Sequence, residues 1–160
     1  MRLDEQLALL DGPIEVVSRP LPVAGDLRIS WGISKILLIL GVSRGGQASF
    51  QKIHFLAHAA STPSLQRDAI ALLHDRSTLL IPSTRVEPWV NRATNFAIAL
   101  GYVEIVNGRS VRLTDLGQKA LQEIVNQTEV LQEEKVFFAE VRPLAAESNI
   151  NRVLRLDDRQ

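Results

Sequence analysis

The stretch 86–123, VEPWVNRATNFAIALGYVEIVNGRSVRLTDLGQKALQE, limits the fold of this chain more than any other. Pro88 stands where the first turn of a helix tolerates a residue without an N–H. The apolar residues that follow recur with the spacing of one face of an α-helix, and they are Trp89, Ala93, Phe96, Ala97 and Leu100. Gly101 can then end the helix in a left-handed conformation. The stretch therefore predicts a helix over 88–100.

Two short runs of β-prone residues, 102–106 and 111–113, follow that helix. Asn107-Gly108 lies between them and is a strong hairpin signal, because both residues tolerate positive φ. Thr114 is placed to cap a second helix. The predicted inner face of that helix comprises Leu116, Ala120, Leu121 and Ile124. Helix, two-stranded hairpin and helix in this order are typical of a winged-helix unit, which binds DNA, other proteins or both.

The composition is that of an ordinary globular protein, with 46% hydrophobic and 22% charged residues in a chain of 160, long enough to bury a core. The net charge is zero, so any contact with nucleic acid must come from local patches. The absence of cysteine excludes disulfides and thiolate metal sites and favours a reducing compartment. The N-terminus does not read as a secretory signal, and the most apolar run, 33–42, is too short for a bilayer. We therefore expect a soluble, cytoplasmic protein.

The chain divides into three predicted parts. Residues 1–27, with Pro20 and Pro22 in an extended stretch, are interpreted as an arm that packs on its own domain or on a partner. Residues 28–126 form the winged-helix-like domain, in which 83–86 can add a third strand to the wing. Residues 127–160 form a C-terminal helical extension. The predicted fold is thus mainly α with a small β-sheet, a winged-helix domain with extra N- and C-terminal segments.

The first strong helix, which Ser30 is expected to cap, is apolar on nearly all sides. Such a helix is normally covered on most sides, and a domain of this size is not expected to cover all of it. Burial and a partner surface both stay open. The candidate protein-interface residues are Leu38, Ile39 and Val42, with Glu129, Glu133 and Phe138 from the later acidic segment.

The segment 85–119 is mildly basic, since five basic residues stand against three acidic ones, giving a net charge of +2. The segment 120–141 has five acidic residues against one basic, giving −4. Basic and amide side chains on a helix and wing can contact phosphates and base edges, although the set on the helix is small. The candidate DNA contacts are Arg85, Asn91, Arg92, Asn95, Arg109 and Arg112.

No sequence pattern indicates catalysis or a cofactor. Gly45-Gly46 is not followed by the Lys-Ser or Lys-Thr pair of a P-loop. His54 and His58, four residues apart on one helix face, can share a metal ion. The sequence H-F-L-A-H lacks the glutamate of the zinc-protease pattern and has no third ligand nearby, so a solvated or interface face is favoured. We expect no enzyme, no metal and no cofactor.

Three segments together resemble one known family: ISKILLILGVSRGGQASFQKIHFLAHAA, RVEPWVNRATNFAIALGYVEI and SVRLTDLGQKALQEI. They span roughly residues 28–126 and resemble the middle component of bacterial ABC three-component systems, which include the small subunit of Lamassu-type anti-phage defence complexes. The final G-Y-V-E and L-T-x-x-G motifs also occur in unrelated winged-helix regulators, so only the earlier motifs distinguish this family from those regulators. The resemblance implies a non-catalytic adaptor subunit that joins an SMC-like ABC ATPase to an effector, often a nuclease. A winged-helix DNA-binding transcriptional regulator is the alternative.

Overall fold

The computed structural model describes residues 25–74 and 86–155, with the backbone alone at residues 25–27 and 155. The predictions for the arm, for residues 83–85 of the third strand and for Arg85 lie outside these residues. The described elements, in chain order, are α1 Gly25–Gly41, β1 Gln47–Ser49, α2 Phe50–Ala59, α3 Pro63–His74, α4 Pro88–Ala99, β2 Val103–Val106, β3 Ser110–Leu113, α5 Asp115–Asn126, α6 Gln132–Val141 and α7 Glu147–Arg155. The protein is mainly helical with a small three-stranded antiparallel sheet, which confirms that part of the predicted fold class.

The sheet has the strand order β1-β3-β2. The predicted hairpin is confirmed, with positive φ at Asn107 and Gly108 and a hydrogen bond of 3.2 Å from Arg109 N to Val106 O. The third described strand is β1, which pairs with β3 in a register that sets Ala48 opposite Val111. The expectation of a third strand reaching Val86 is wrong at that residue, which lies outside any strand. A three-residue strand of sequence QAS carries too little periodicity to be recognised.

Helix α1 forms the centre of the core and packs against α4, α5, α2 and α6. It begins at Gly25, so the prediction that Ser30 caps it is wrong, and Ser30 lies inside the helix. Leu38 and Ile39 are only 5% and 0% exposed. The expectation that the domain cannot cover α1 on all sides is therefore wrong, because α6 supplies a further covering helix from the C-terminal region.

Helix α4 packs on α1 through small side chains. Its buried residues are Val90, Ala93, Thr94 and Ala97. The helices approach so closely that a Cβ atom at Gly32 would lie 3.0 Å from the Cβ of Ala93. The predicted inner stripe is therefore wrong at Phe96 and Leu100, which are 44% and 52% exposed. Large side chains would hold the two helices apart, so the face with the smallest apolar residues is the one that is buried.

The C-terminal helices share the same hydrophobic core as the rest of the described chain. Phe137 and Phe138 of α6 and Ile150 of α7 are buried in it. Two side chains of α7 also bond to the end of α3: Asn149 Nδ2 donates to Leu73 O at 3.0 Å, and Arg152 donates to the carbonyls of Leu72 and Leu73. The proposed division of the chain at residue 126 stays a prediction.

No helix in the described part of the chain is long and apolar enough to cross a lipid bilayer.

Candidate functional site

The candidate protein-interface residues are separated by the fold. Leu38, Ile39 and Phe138 lie in the core, where a partner cannot reach them, so their proposed role at a surface is corrected. Val42 is half-buried on the wall of a cavity described below. Glu129 and Glu133 are exposed. The sequence placed the apolar interface on α1 because hydrophobicity alone does not show which neighbouring elements will cover a helix.

An exposed apolar surface does exist, on α4 and α5. Phe96 and Leu100 stand four residues apart on one face of α4, so their side chains are neighbours. Leu116, predicted to face inward, is 51% exposed instead. The Cδ2 atom of Leu116 lies 3.8 Å from the point where a Cβ atom would stand at Gly101, the residue that follows Leu100. We call these three side chains, Phe96, Leu100 and Leu116, the α4–α5 patch.

The candidate DNA contacts are partly engaged in other interactions. Asn91 Oδ1 lies 3.0 Å from His54 Nε2. Arg112 donates to Glu104 Oε1 from both Nε, at 2.9 Å, and Nη2, at 2.6 Å, and this ion pair neutralises its charge on the wing. Arg92 and Asn95 are exposed on α4. Among the described residues, the side chains of Arg92 and Asn95 have no partner, so both are available to a groove beside the apolar α4–α5 patch.

The two histidines attach α2 to the start of α4. Glu87 N donates to His54 Nδ1 at 3.3 Å, so His54 accepts at that nitrogen and carries its proton on Nε2, which donates to Asn91. His58 Nδ1 lies 2.9 Å from Glu87 Oε1. Within residues 25–74 and 86–155 no group of three or more His, Cys, Asp or Glu side chains could hold a metal ion. Both histidines are half-buried, and the prediction of a solvated or interface face stays a prediction.

Lys35 is a buried cation between α1, α4 and α6. Its Nζ lies 4.2 Å from the ring centroid of Trp31 and 5.6 Å from that of Trp89, and 3.7 Å from Glu134 Oε1. Burial lowers the pKa of Lys35, while Glu134 and Glu87 oppose that shift. The aromatic faces and the carboxylate compensate for part of the lost hydration. This cluster joins three helices around an ammonium that is nearly buried.

A cavity of about 1070 Å³ opens between β1, the hairpin turn and the residues that precede and begin α7. Four basic residues line it: Arg44, Lys52, Arg109 and Arg142. One carboxylate, Glu147, lies on the same wall. Its Oε1 accepts from Ser49 N and its Oε2 from Ser49 Oγ, both at 2.9 Å, so it caps the N-terminus of α2. The cavity therefore has an excess of positive charge.

The four cations have no hydrogen-bond or ion-pair partner for their side chains in the part of the chain that the structure describes. Lys52 differs from the three arginines because it is only 3% exposed. Burial lowers its pKa, and the charge of Glu147 opposes the shift. A buried ammonium without a direct partner is costly, so the site favours an anion.

Sequence reasoning identified only Arg109 among these residues. Arg44 follows α1, Lys52 lies in α2, and Arg142 follows α6, so three of the four cations come from outside the segment considered for DNA contacts. The one available signal was that Arg44 and Lys52 lie close together in sequence, Arg44 in the turn after α1 and Lys52 in the first turn of α2. The partner residues Arg142 and Glu147 could not be found without the fold.

Comparison of the chain with protein-family models, with curated proteins and with solved structures gives no match.

Proposed function

We propose that this protein is a non-catalytic adaptor subunit with a winged-helix domain, which joins an SMC-like ABC ATPase to an effector such as a nuclease in a bacterial anti-phage complex. The family assignment within this proposal rests on the sequence resemblance over roughly residues 28–126. The observation that carries the protein-binding role is the α4–α5 patch.

The sheet supports the winged-helix part of the proposal. In a winged helix, a short strand between the first two helices pairs with the second strand of the wing. The order β1-β3-β2, with β1 between α1 and α2, agrees with this arrangement. Helix α3, between α2 and α4, is an addition to the simplest form of such a domain.

The outer face of α4 supports protein binding over sequence reading. A reading helix enters a polar groove with several donors directed at base edges. Here Phe96 and Leu100 are half-exposed beside Arg92 and Asn95, and Asn91 already bonds to His54. Exposed large apolar side chains that adjoin one another mark protein interfaces more often than nucleic-acid interfaces. This favours the adaptor over the DNA-binding transcriptional regulator.

The size of the patch suits a subunit contact. Each of its three side chains is about half-exposed. Completing their burial would contribute roughly 1 kcal/mol per side chain, since full burial of Leu or Phe contributes about 1.5–3 kcal/mol. One aspartate in the patch should therefore weaken a complex by about tenfold or more, because it removes an apolar contact and buries a charge.

The test is co-expression of the protein with the products of its neighbouring genes, of which the proposal requires one to encode a long coiled-coil ATPase. Phe96→Asp and Leu100→Asp are the test variants. Val136→Asp, at an apolar residue that is 64% exposed on α6, is the matched control. Thermal unfolding of each purified variant verifies the fold.

The proposal expects the complex to be lost with Phe96→Asp and Leu100→Asp and retained with Val136→Asp. Undiminished co-purification of folded patch variants would remove the patch from the interface. Tight binding of the wild-type chain to one duplex over scrambled duplexes, abolished by Arg92→Ala, would favour the transcriptional regulator instead.

A further inference from the structure

The strongest unexplained feature of the molecule is the charge of the cavity between β1, the hairpin turn and α7. Four cations against one carboxylate give the wall a net charge of +3 in a chain whose total charge is zero. The carboxylate of Glu147 accepts two hydrogen bonds from Ser49, so it is committed to the N-cap of α2. Its charge offsets only part of the positive charge, so the described wall keeps an excess of three positive charges.

The Lys52 ammonium is nearly buried and has no direct partner among the described residues. Among the described residues, every fully buried side-chain nitrogen or oxygen has a hydrogen-bond partner, yet the Lys52 ammonium has none. Its Nζ therefore keeps some contact with solvent although the residue is only 3% exposed. Since Lys52 lines the cavity, that contact is with the cavity. The ammonium is held where an anion in the cavity can reach it.

We propose that this cavity binds phosphate groups, through Lys52 at its buried end and through Arg44, Arg109 and Arg142 at its exposed rim. Guanidinium groups match the oxygen geometry of phosphate, and a buried ammonium provides a point charge for it. None of the described residues that line the cavity is aromatic, so these residues offer no stacking platform for a base. The ligand is therefore recognised by its phosphates and not by its base sequence.

Phosphates of this kind can belong to a nucleic-acid strand or to a small phosphorylated molecule. The probe for the first is a short fluorescent single-stranded DNA of mixed sequence, measured by anisotropy at several salt concentrations. The probes for the second are inorganic phosphate and a mononucleotide, used as competitors. If four contacts form with the strand, the logarithm of affinity should fall with the logarithm of salt concentration with a slope of roughly −3.

The test variants are Arg44→Glu, Arg142→Glu and Lys52→Met, all made in the full chain. The control is Arg67→Glu, an exposed arginine on α3 that does not line the cavity. Each rim variant should weaken binding of the phosphate-bearing probe about tenfold, and it should reduce the magnitude of the salt slope by about one. Lys52→Met should weaken binding as well, while thermal unfolding shows that the variant is folded.

Displacement of the strand by millimolar phosphate or mononucleotide would assign the cavity to a small ligand, and resistance to both would assign it to a nucleic-acid backbone. Either result supports phosphate binding when the cavity variants reduce it. The proposal is overturned if no probe binds, or if Arg67→Glu weakens binding as much as the cavity variants do. It is independent of the adaptor role, because Arg44→Glu leaves the α4–α5 patch unchanged.

Discussion

Gly117 is the position where one methyl group should cause the largest loss of stability. A Cβ atom there would lie 1.9 Å from the carbonyl oxygen of Tyr102, whereas real Cβ atoms essentially never come closer than 3.0 Å. That oxygen cannot move freely, because it accepts from Thr114 N at 3.0 Å and shares the Thr114 hydroxyl proton, at 3.1 Å, with Gly101 O, at 2.5 Å. Thr114 Oγ1 in turn accepts from Gly117 N at 3.1 Å and caps α5.

Gly117→Ala therefore sets helix propensity against a steric clash. Alanine should gain about 1 kcal/mol of helix propensity over glycine. Relieving the clash requires a shift of about 1 Å and weakens these three hydrogen bonds, each worth roughly 0.5–1.5 kcal/mol, and overpacking adds about 1–3 kcal/mol. We expect a net loss of about 2–4 kcal/mol, which is roughly 5–15 °C in melting temperature for a chain of this size.

Urea and thermal unfolding followed by circular dichroism measure this loss. Gln118→Ala, at the next and exposed residue of α5, is the control for helix propensity and should change stability by less than about 0.5 kcal/mol. Gly41→Ala is the control for a yielding neighbour, because its Cβ would meet only the side-chain end of Leu121 at 2.6 Å. A Gly117→Ala protein as stable as the wild type would refute the steric argument.

Three further outcomes are expected. At pH values between the lowered pKa of folded Lys35 and its ordinary value of 10.5, the unfolded chain binds the proton more tightly than the folded chain, so the stability of the wild type should rise with pH. The stability of Lys35→Met should rise less over the same range. Equal slopes for the two proteins, in urea titrations at several pH values, would contradict this. Glu147→Gln should lower the free energy of unfolding in urea by about 1–2 kcal/mol, because it weakens the hydrogen bonds to Ser49 and removes a negative charge from the N-terminus of α2. An unchanged midpoint would count against the cap. The isolated subunit should hydrolyse no nucleotide and cleave no DNA, and activity that survives repurification and is lost in His54→Ala/His58→Ala would overturn the non-catalytic assignment.

The features that the sequence predicted correctly are those set by neighbouring residues. Thr114 accepts the expected hydrogen bond from Gly117 N, since a cap needs only its own first turn. The turn at Asn107-Gly108 follows from the backbone freedom of two adjacent residues. Such local rules act before any tertiary contact forms.

The features that the sequence predicted wrongly depend on distant neighbours. The predicted stripe of α4 was correct at Ala93 and Ala97 and wrong at Phe96 and Leu100, because the close approach of Ala93 to Gly32 leaves room for small side chains at the contact with α1. The cavity could not be predicted either, because its cations become neighbours only after the segments around residues 44–52, 109 and 142 have been brought together.

The hydrogen bonds between Ser49 and Glu147 join residues 98 positions apart in the sequence, so they can form only late in synthesis. Ribosomes make the start of α2 long before residue 147, so the nascent helix must wait for its carboxylate cap. The cavity wall formed by residues 142–148 is made after the other walls, in a chain whose segments emerge in order from the N-terminus. A chain interrupted before residue 142 would lack this wall beside Lys52, together with Arg142 and the carboxylate of Glu147.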